Sequence, residues 1–143
     1  MSEADRLANK VAHVMLSREG TGAAWGIQID EAREGYARIS MTVRKDMLNG
    51  HAIAHGGMIF ALADTAFAYA CNSRNVNTVA QQASIAFLAP GREGDRLTAE
   101  AAEVAVSGRS GVYAVTVTNQ AGEKIAVFQG LSRSTGGAVL APD

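Results

Sequence analysis

Apolar residues recur at helical spacing near the N-terminus, where Leu7, Val11, Val14 and Met15 fall on one face. Ser2 and Asp5 stand at the spacing of a capping box, so a short amphipathic helix is expected over residues 3–17. The run REGTGAAWG reads as a loop. From Gly35 the period drops to two. Ala37, Ile39, Met41 and Val43 face one way, and Tyr36, Arg38, Ser40, Thr42 and Arg44 the other, which is the pattern of a half-buried strand. A loop over residues 46–54 then leads into a stretch that is apolar nearly all round, expected as a helix at about residues 56–73.

Beyond that helix, NTVAQQASIAFLAP reads as a strand stopped by Pro90, and PGREGD as a turn. DRLTAEAAEVAVS, GVYAVTVTN and EKIAVFQGLSR follow as three strands joined by the turns SGRSG and NQAG. Residues 134–143 read as a loose tail. Consecutive strands on short turns imply an antiparallel sheet. A helix apolar on almost every side has to be covered on most of them, and a curved sheet wrapped around it would do so. Alanines at positions 61, 63, 66, 68 and 70 would allow close approach. The expectation is an α+β fold with an antiparallel sheet wrapped around one long central helix.

The chain's 143 residues suit one domain, residues 1–143, with residues 1–20 as an N-terminal helical segment. A net charge of −1 with 19% charged residues provides no basic footprint for nucleic acid and no polybasic membrane patch. The most apolar run, Met58 to Cys71, is 14 residues interrupted by Asp64, short of the roughly 20 that a span needs. The N-terminus lacks an apolar signal core, and Cys71, the only cysteine, has no internal disulfide partner. A cytoplasmic protein is expected.

Asp64 is the one charge in the apolar helix. An unpaired carboxylate in an apolar site costs on the order of several kcal/mol. Asp64 could lie on a wet side of the helix or bond a partner such as Thr65 or a strand hydroxyl. Alternatively it lines a cleft and does chemistry there. Gly56 and Gly57 sit where the helix begins. Free N–H groups and a partial positive charge gather at such a terminus, and glycine lets a ligand come close to the backbone. The pair could equally be no more than a tight turn into the helix. Gly56 and Asp64 are eight residues apart, about 12 Å at ~1.5 Å per residue, so one carbonyl group cannot touch both within a single helix. Two antiparallel copies could bring Gly56 of one to Asp64 of the other, which argues for a dimer with two shared sites.

Asn49, His55-Gly56-Gly57, Phe60 and Leu62-Ala63-Asp64 form a pattern that resembles the hotdog-fold acyl-CoA thioesterases. The stretches MLNGHAIAHGGMIFALADTAFAYACNS, FLAPGREGD and SGRSGVYAVTVTNQAGEKIAVFQG are similar to the branch acting in bacterial phenylacetate degradation. The resemblance covers residues 46–133 well and the N-terminal helix loosely. It implies that the Gly56 N–H holds the thioester oxyanion and that Asn49 helps position the carbonyl or the attacking water. Asp64 of the partner subunit would activate that water or attack directly. His55, beside Gly57, would order the loop. A hydroxyl or amide after the helix would assist, with Gln81, Gln82 or Ser84 as candidates. Arg92 and Arg109 are candidates for the coenzyme A phosphates. The resemblance further implies an aromatic acyl-CoA substrate, a hydroxylated phenylacetyl group favoured, no cofactor beyond coenzyme A as part of substrate and product, and a homodimer or homotetramer.

Other motifs carry less. His51 and His55 have a zinc-like i, i+4 spacing but no third ligand, so no metal is expected. Cys71 reads as a small core residue. GTGAAWG lacks the strand and spacing of a dinucleotide loop, and GRSG lacks the second glycine of a nucleophile elbow. Trp25, Phe60, Phe67 and Tyr69 read as core or interface, although any of them could wall an acyl pocket. Two other functions remain open: an acyl-thioester hydratase or dehydratase using His55, and a non-catalytic acyl-CoA or aromatic-ligand binding protein.

Overall fold

A helix that is apolar on almost every side dictates the architecture, because most of its surface has to be taken out of water. The computed structural model describes residues 1–142; Asp143, the last residue of the expected loose tail, lies outside them. In chain order the elements are α1 (Glu3–Arg18), α2 (Gly20–Trp25), β1 (Gln28–Arg33), β2 (Tyr36–Thr42), α3 (Gly56–Cys71), β3 (Thr78–Phe87), β4 (Arg96–Ser107), β5 (Ser110–Thr118) and β6 (Lys124–Ser134). One antiparallel sheet runs in the order β1-β2-β4-β5-β6-β3 and wraps α3. This is the expected α+β architecture.

The alternation read along β2 holds, with Ala37, Ile39, Met41 and Val43 all buried. Ser40 departs from it: placed with the outward set, it is buried because the Arg96 guanidinium donates to its hydroxyl at 2.7 Å and covers it. Ala63, Ala66 and Ala70 of α3 are buried under the sheet, whereas Ala61 and Ala68 sit half-exposed on the opposite side. The expectation that all five alanines serve the sheet contact is corrected for those two. The aromatic centre of the core is Phe67, whose ring lies 5.6 Å from Tyr113 and 5.8 Å from Phe128 between centroids. Gly130 of β6 opens the space for it, since a Cβ there would lie 2.7 Å from the Phe67 ring.

Four further differences have local causes. REGTGAAWG is not a loop: Gly20–Trp25 make a short helix that ends at Gly26 with φ +66°, a conformation suited to glycine. The expected capping box is half formed. Ser2 Oγ accepts from the Asp5 N–H at 3.0 Å, but the Asp5 carboxylate instead takes the Glu34 N–H. β3 does not pair with β4. Its chain crosses the end of the barrel-like wrap, and β3 becomes the edge strand beside β6. The tail, finally, is tied down. Asn77 exchanges backbone bonds with Thr135 and Gly137, Arg18 donates to the Val139 carbonyl at 2.9 Å, and the Leu140 N–H donates to Asn75 Oδ1 at 2.8 Å.

The two sheet edges differ. β1 carries Asp30, Glu31 and Arg33 and has α1 packed beside it, the usual protection of an edge. Residues 75–91, which include all of β3, hold no charged side chain, and Val79 and Phe87 are about half exposed. No helix of the described residues is long and apolar enough to cross a membrane.

The Phe67–Gly130 contact can be tested directly. Gly130→Ala should overpack this point and cost about 1–3 kcal/mol, read as a lowered midpoint in urea unfolding with an unchanged slope.

Candidate active site

The loop before α3 is folded back on itself by its own backbone. Leu48 and Ala54 form an antiparallel bridge, the Asn49 N–H donates to Ile53 O at 2.8 Å, and the His55 N–H donates to Met47 O at 2.8 Å. Ala52 takes the tip at φ 61°. The Ala54 N–H donates to Gly91 O at 2.7 Å, which pins this loop to the segment leaving β3.

Inside the loop, Asn49 Oδ1 accepts the N–H groups of His51 at 2.9 Å and Ile53 at 3.4 Å. Only the amide oxygen can accept, so this network fixes the orientation of the side chain. Among the described residues, the Nδ2 group is left with its donors unused. At the helix start, His55 is the N-cap, and its Nδ1 accepts the Gly57 N–H at 2.9 Å. A nitrogen that accepts carries no proton, so the ring has its N–H at Nε2. The Gly56 N–H, one residue earlier, finds no partner among the described residues. It stands at the positive end of a sixteen-residue helix.

Asn49 and Gly56 share a cavity of about 480 Å³, walled by Ile53, Ile59, Phe87 and Pro90. Two free N–H donors therefore border an otherwise apolar recess, an arrangement that suits a polarised carbonyl oxygen. The Gly57 pair has a structural reason as well. A Cβ at Gly57 would meet the His55 ring at 3.1 Å, and one at Gly56 would meet the Phe87 ring at 3.1 Å.

Asp64 does not line this cavity. It is half-buried on the side of α3 that the sheet leaves uncovered, in line with Gly57, Ala61, Ala68 and Cys71. The Thr65 hydroxyl donates to Ala61 O at 2.7 Å and so is committed elsewhere. Among the described residues nothing donates a hydrogen bond to the Asp64 carboxylate, and burial alone pushes its pKa above the ordinary range. Cys71, one turn pair further along, has its thiol pushed up to about 12 by burial, with the Asp64 charge adding to the effect. That thiol is no nucleophile at neutral pH.

The other candidates scatter. Ser84 opposes Gln129, and Gln82 opposes Leu131, on the outer face of the sheet, while Ile85 opposes the buried Phe128 on the inner one. Ser84 and Gln82 therefore point away from α3 of their own chain. Gln81 is the extra residue of a bulge, where alternation breaks. Arg92 is exposed two residues beyond Pro90 of the cavity, in a turn held by its N–H to Asp95 Oδ2 at 2.8 Å. Arg109 lies instead by the far end of α3, in a small recess with Cys71, Arg74 and Tyr113. The sequence reading missed Phe87. Its position three residues before Pro90, at the end of a strand, was the available signal.

A model of the thioesterase superfamily matches residues 51–126. The acyl-coenzyme A thioesterase PaaI of Escherichia coli (strain K12) is 45% identical over 128 residues, which cover 90% of this chain and 91% of that one. The structure of the E. coli PaaI protein from the phenylacetic acid degradation operon aligns with a TM-score of 0.93 at 43% identity, covering 95% of this chain and 99% of that one. A Streptococcus mutans UA159 protein solved bound to acetyl CoA aligns with a TM-score of 0.76 at 29% identity, covering 78% of this chain and 90% of that one.

The cap bond at His55 predicts a split between two substitutions. His55→Ala should cost about 1 kcal/mol of stability, and His55→Asn, which can still accept the Gly57 N–H, should recover most of it. Paired urea melts of the two variants measure the difference.

Proposed function

Because the chain belongs to the thioesterase superfamily and is an acyl-CoA thioester hydrolase by that descent, we propose that it hydrolyses aromatic acyl-CoA thioesters in phenylacetate degradation, with phenylacetyl-CoA and its hydroxylated forms foremost. The observation that carries the chemistry is the unpartnered Gly56 N–H beside the free Nδ2 of Asn49 in one apolar cavity. Both would donate to the thioester oxygen and more strongly to the oxyanion that develops there. Similarity to PaaI and the aromatic wall of the cavity support the aryl substrate.

Asp64 completes the site from a second copy. About 12 Å separates it from Gly56 along its own helix, and its side of α3 is lined by small residues that let another helix approach closely. The uncharged edge of β3 supports the same association, since an exposed edge of that kind invites pairing. Antiparallel pairing of two β3 edges would extend the sheet and set the two α3 helices side by side. Val127, exposed on the outer sheet face opposite Thr116, favours a further pairing of dimers into a tetramer.

In this reading Asp64 of the partner subunit takes a proton from water as the water oxygen adds to the thioester carbon. The oxyanion forms against Gly56 and Asn49. Collapse breaks the C–S bond, and the proton passes to sulfur, leaving the free acid and coenzyme A. A burial-raised pKa makes Asp64 a better base than an ordinary aspartate. His55 holds the loop through Gly57, Arg92 is the candidate to meet coenzyme A phosphates, and Gln81, Gln82 and Ser84 are the candidates to assist from β3. The reaction needs no resident cofactor or metal, and a cytoplasmic location accompanies a coenzyme A substrate.

Asp64→Asn should lower kcat by at least ~100-fold in a thiol-release assay on phenylacetyl-CoA. Wild-type turnover by this variant would overturn the role of Asp64, whereas binding without thiol release by wild type and variant alike would indicate a binding protein. Mixing Asp64→Asn with Asn49→Ala subunits should restore activity in the mixed dimers, whereas a site built within one chain restores none. Asp64→Asn should also raise Tm. A raised native pKa makes wild-type stability fall as pH rises through it, so the advantage of asparagine should grow from pH 4 to pH 8 in calorimetric scans.

A further inference from the structure

Phe87 is a large aromatic side chain left 52% exposed, although strand alternation puts it on the inner face of the sheet with Ala83 and Ile85. The ring does not turn away into solvent. It lies over the first residue of α3, so close that a Cβ on Gly56 would be 3.1 Å from Cζ and 3.4 Å from Cε1. One side of the ring is thus packed on Gly56, and the cavity holding Asn49 and Gly56 is bordered by the same ring. No other aromatic side chain lines that cavity among the described residues.

We infer that Phe87 selects the acyl group, its ring forming the wall on which a substrate's aryl ring lies beside the Gly56 N–H. The inference rests on the aromatic acyl-CoA reading above. In a phenylacetyl thioester one methylene separates the carbonyl carbon from the ring. A carbonyl oxygen bonded to Gly56 therefore fixes the aryl ring within a few bond lengths of this terminus, where Phe87 already lies. Aromatic pairs favour offset or edge-to-face contact with centroids about 4.5–7 Å apart, a range this geometry allows. An unbranched aliphatic chain gains only ordinary apolar contact from the same wall. Gly56 has two jobs in consequence: it supplies the donor, and its missing side chain leaves room for the ring.

The test compares kcat/KM for phenylacetyl-CoA and hexanoyl-CoA in the wild type, Phe87→Leu and Phe87→Tyr. Leucine keeps the apolar bulk and removes the ring; tyrosine keeps the ring. Phe87→Leu should cut kcat/KM for phenylacetyl-CoA by about tenfold and change hexanoyl-CoA less than twofold. Phe87→Tyr should retain the wild-type ratio. Equal losses on both substrates would overturn the inference, because they would mean that Phe87 contacts the shared coenzyme A arm or only shields the site. A wild-type preference that survives in Phe87→Leu overturns the inference alone. A wild type that treats both substrates alike overturns the substrate reading and the inference with it.

Discussion

The rise of a single helix constrains everything else in this molecule. Gly56 opens α3 and Asp64 lies eight residues on. At ~1.5 Å per residue no bound carbonyl can be served by both. The chain concentrates its unused donors, the Gly56 N–H and Asn49 Nδ2, at one end of the helix and leaves its unpaired acid in the middle. In the proposed reading, neither half is a thioesterase centre alone. In the proposed dimer, two-fold pairing would turn this separation into two complete sites, because each helix opening would meet its neighbour's midpoint.

The proposed pairing would relieve costs that an isolated chain carries. Asp64 is half-buried with no donor among the described residues, so its ionised form is disfavoured and its pKa rises. β3 presents an uncharged and partly apolar edge, whereas β1, at the other side of the sheet, is charged and has α1 beside it. Both features are liabilities in solution. Both lie on the side of the molecule that the proposed dimer covers. A chain shaped only for monomeric stability would have guarded both edges alike.

Much of this was legible in the residues. Period-two alternation found β2, the strand runs found β3 to β6, and the lone charge in an apolar helix singled out Asp64. Local pattern could not show pairing partners. That β3 belongs beside β6 rather than β4 depends on where a chain crosses, which no strand's own residues record. Ser84 and Gln82 follow the helix closely in sequence; the β3–β6 register turns them to the outer face of their own chain's sheet. α2 was hidden by glycines that read as loop, and the tail by small residues whose anchors, Asn75 and Asn77, lie some sixty residues earlier. Phe87 was overlooked because its importance comes from a contact with Gly56, and a sequence shows contacts only within an element.

Gly56 is where these separate demands meet. As the first helical residue it has an N–H with no carbonyl to bond within the helix. The next N–H is already taken by His55 Nδ1, so the free donor is confined to one atom whose direction the cap fixes. A methyl group at Gly56 would leave that N–H intact yet press on the tip of the Phe87 ring, which would have to give by a few tenths of an ångström. Glycine here serves the approach of its neighbour rather than a positive φ of its own. In the proposed site a single glycine couples the donor that stabilises the developing charge to the ring that chooses what carries it. Rate and selectivity would then change together when either member of the Gly56–Phe87 contact is altered.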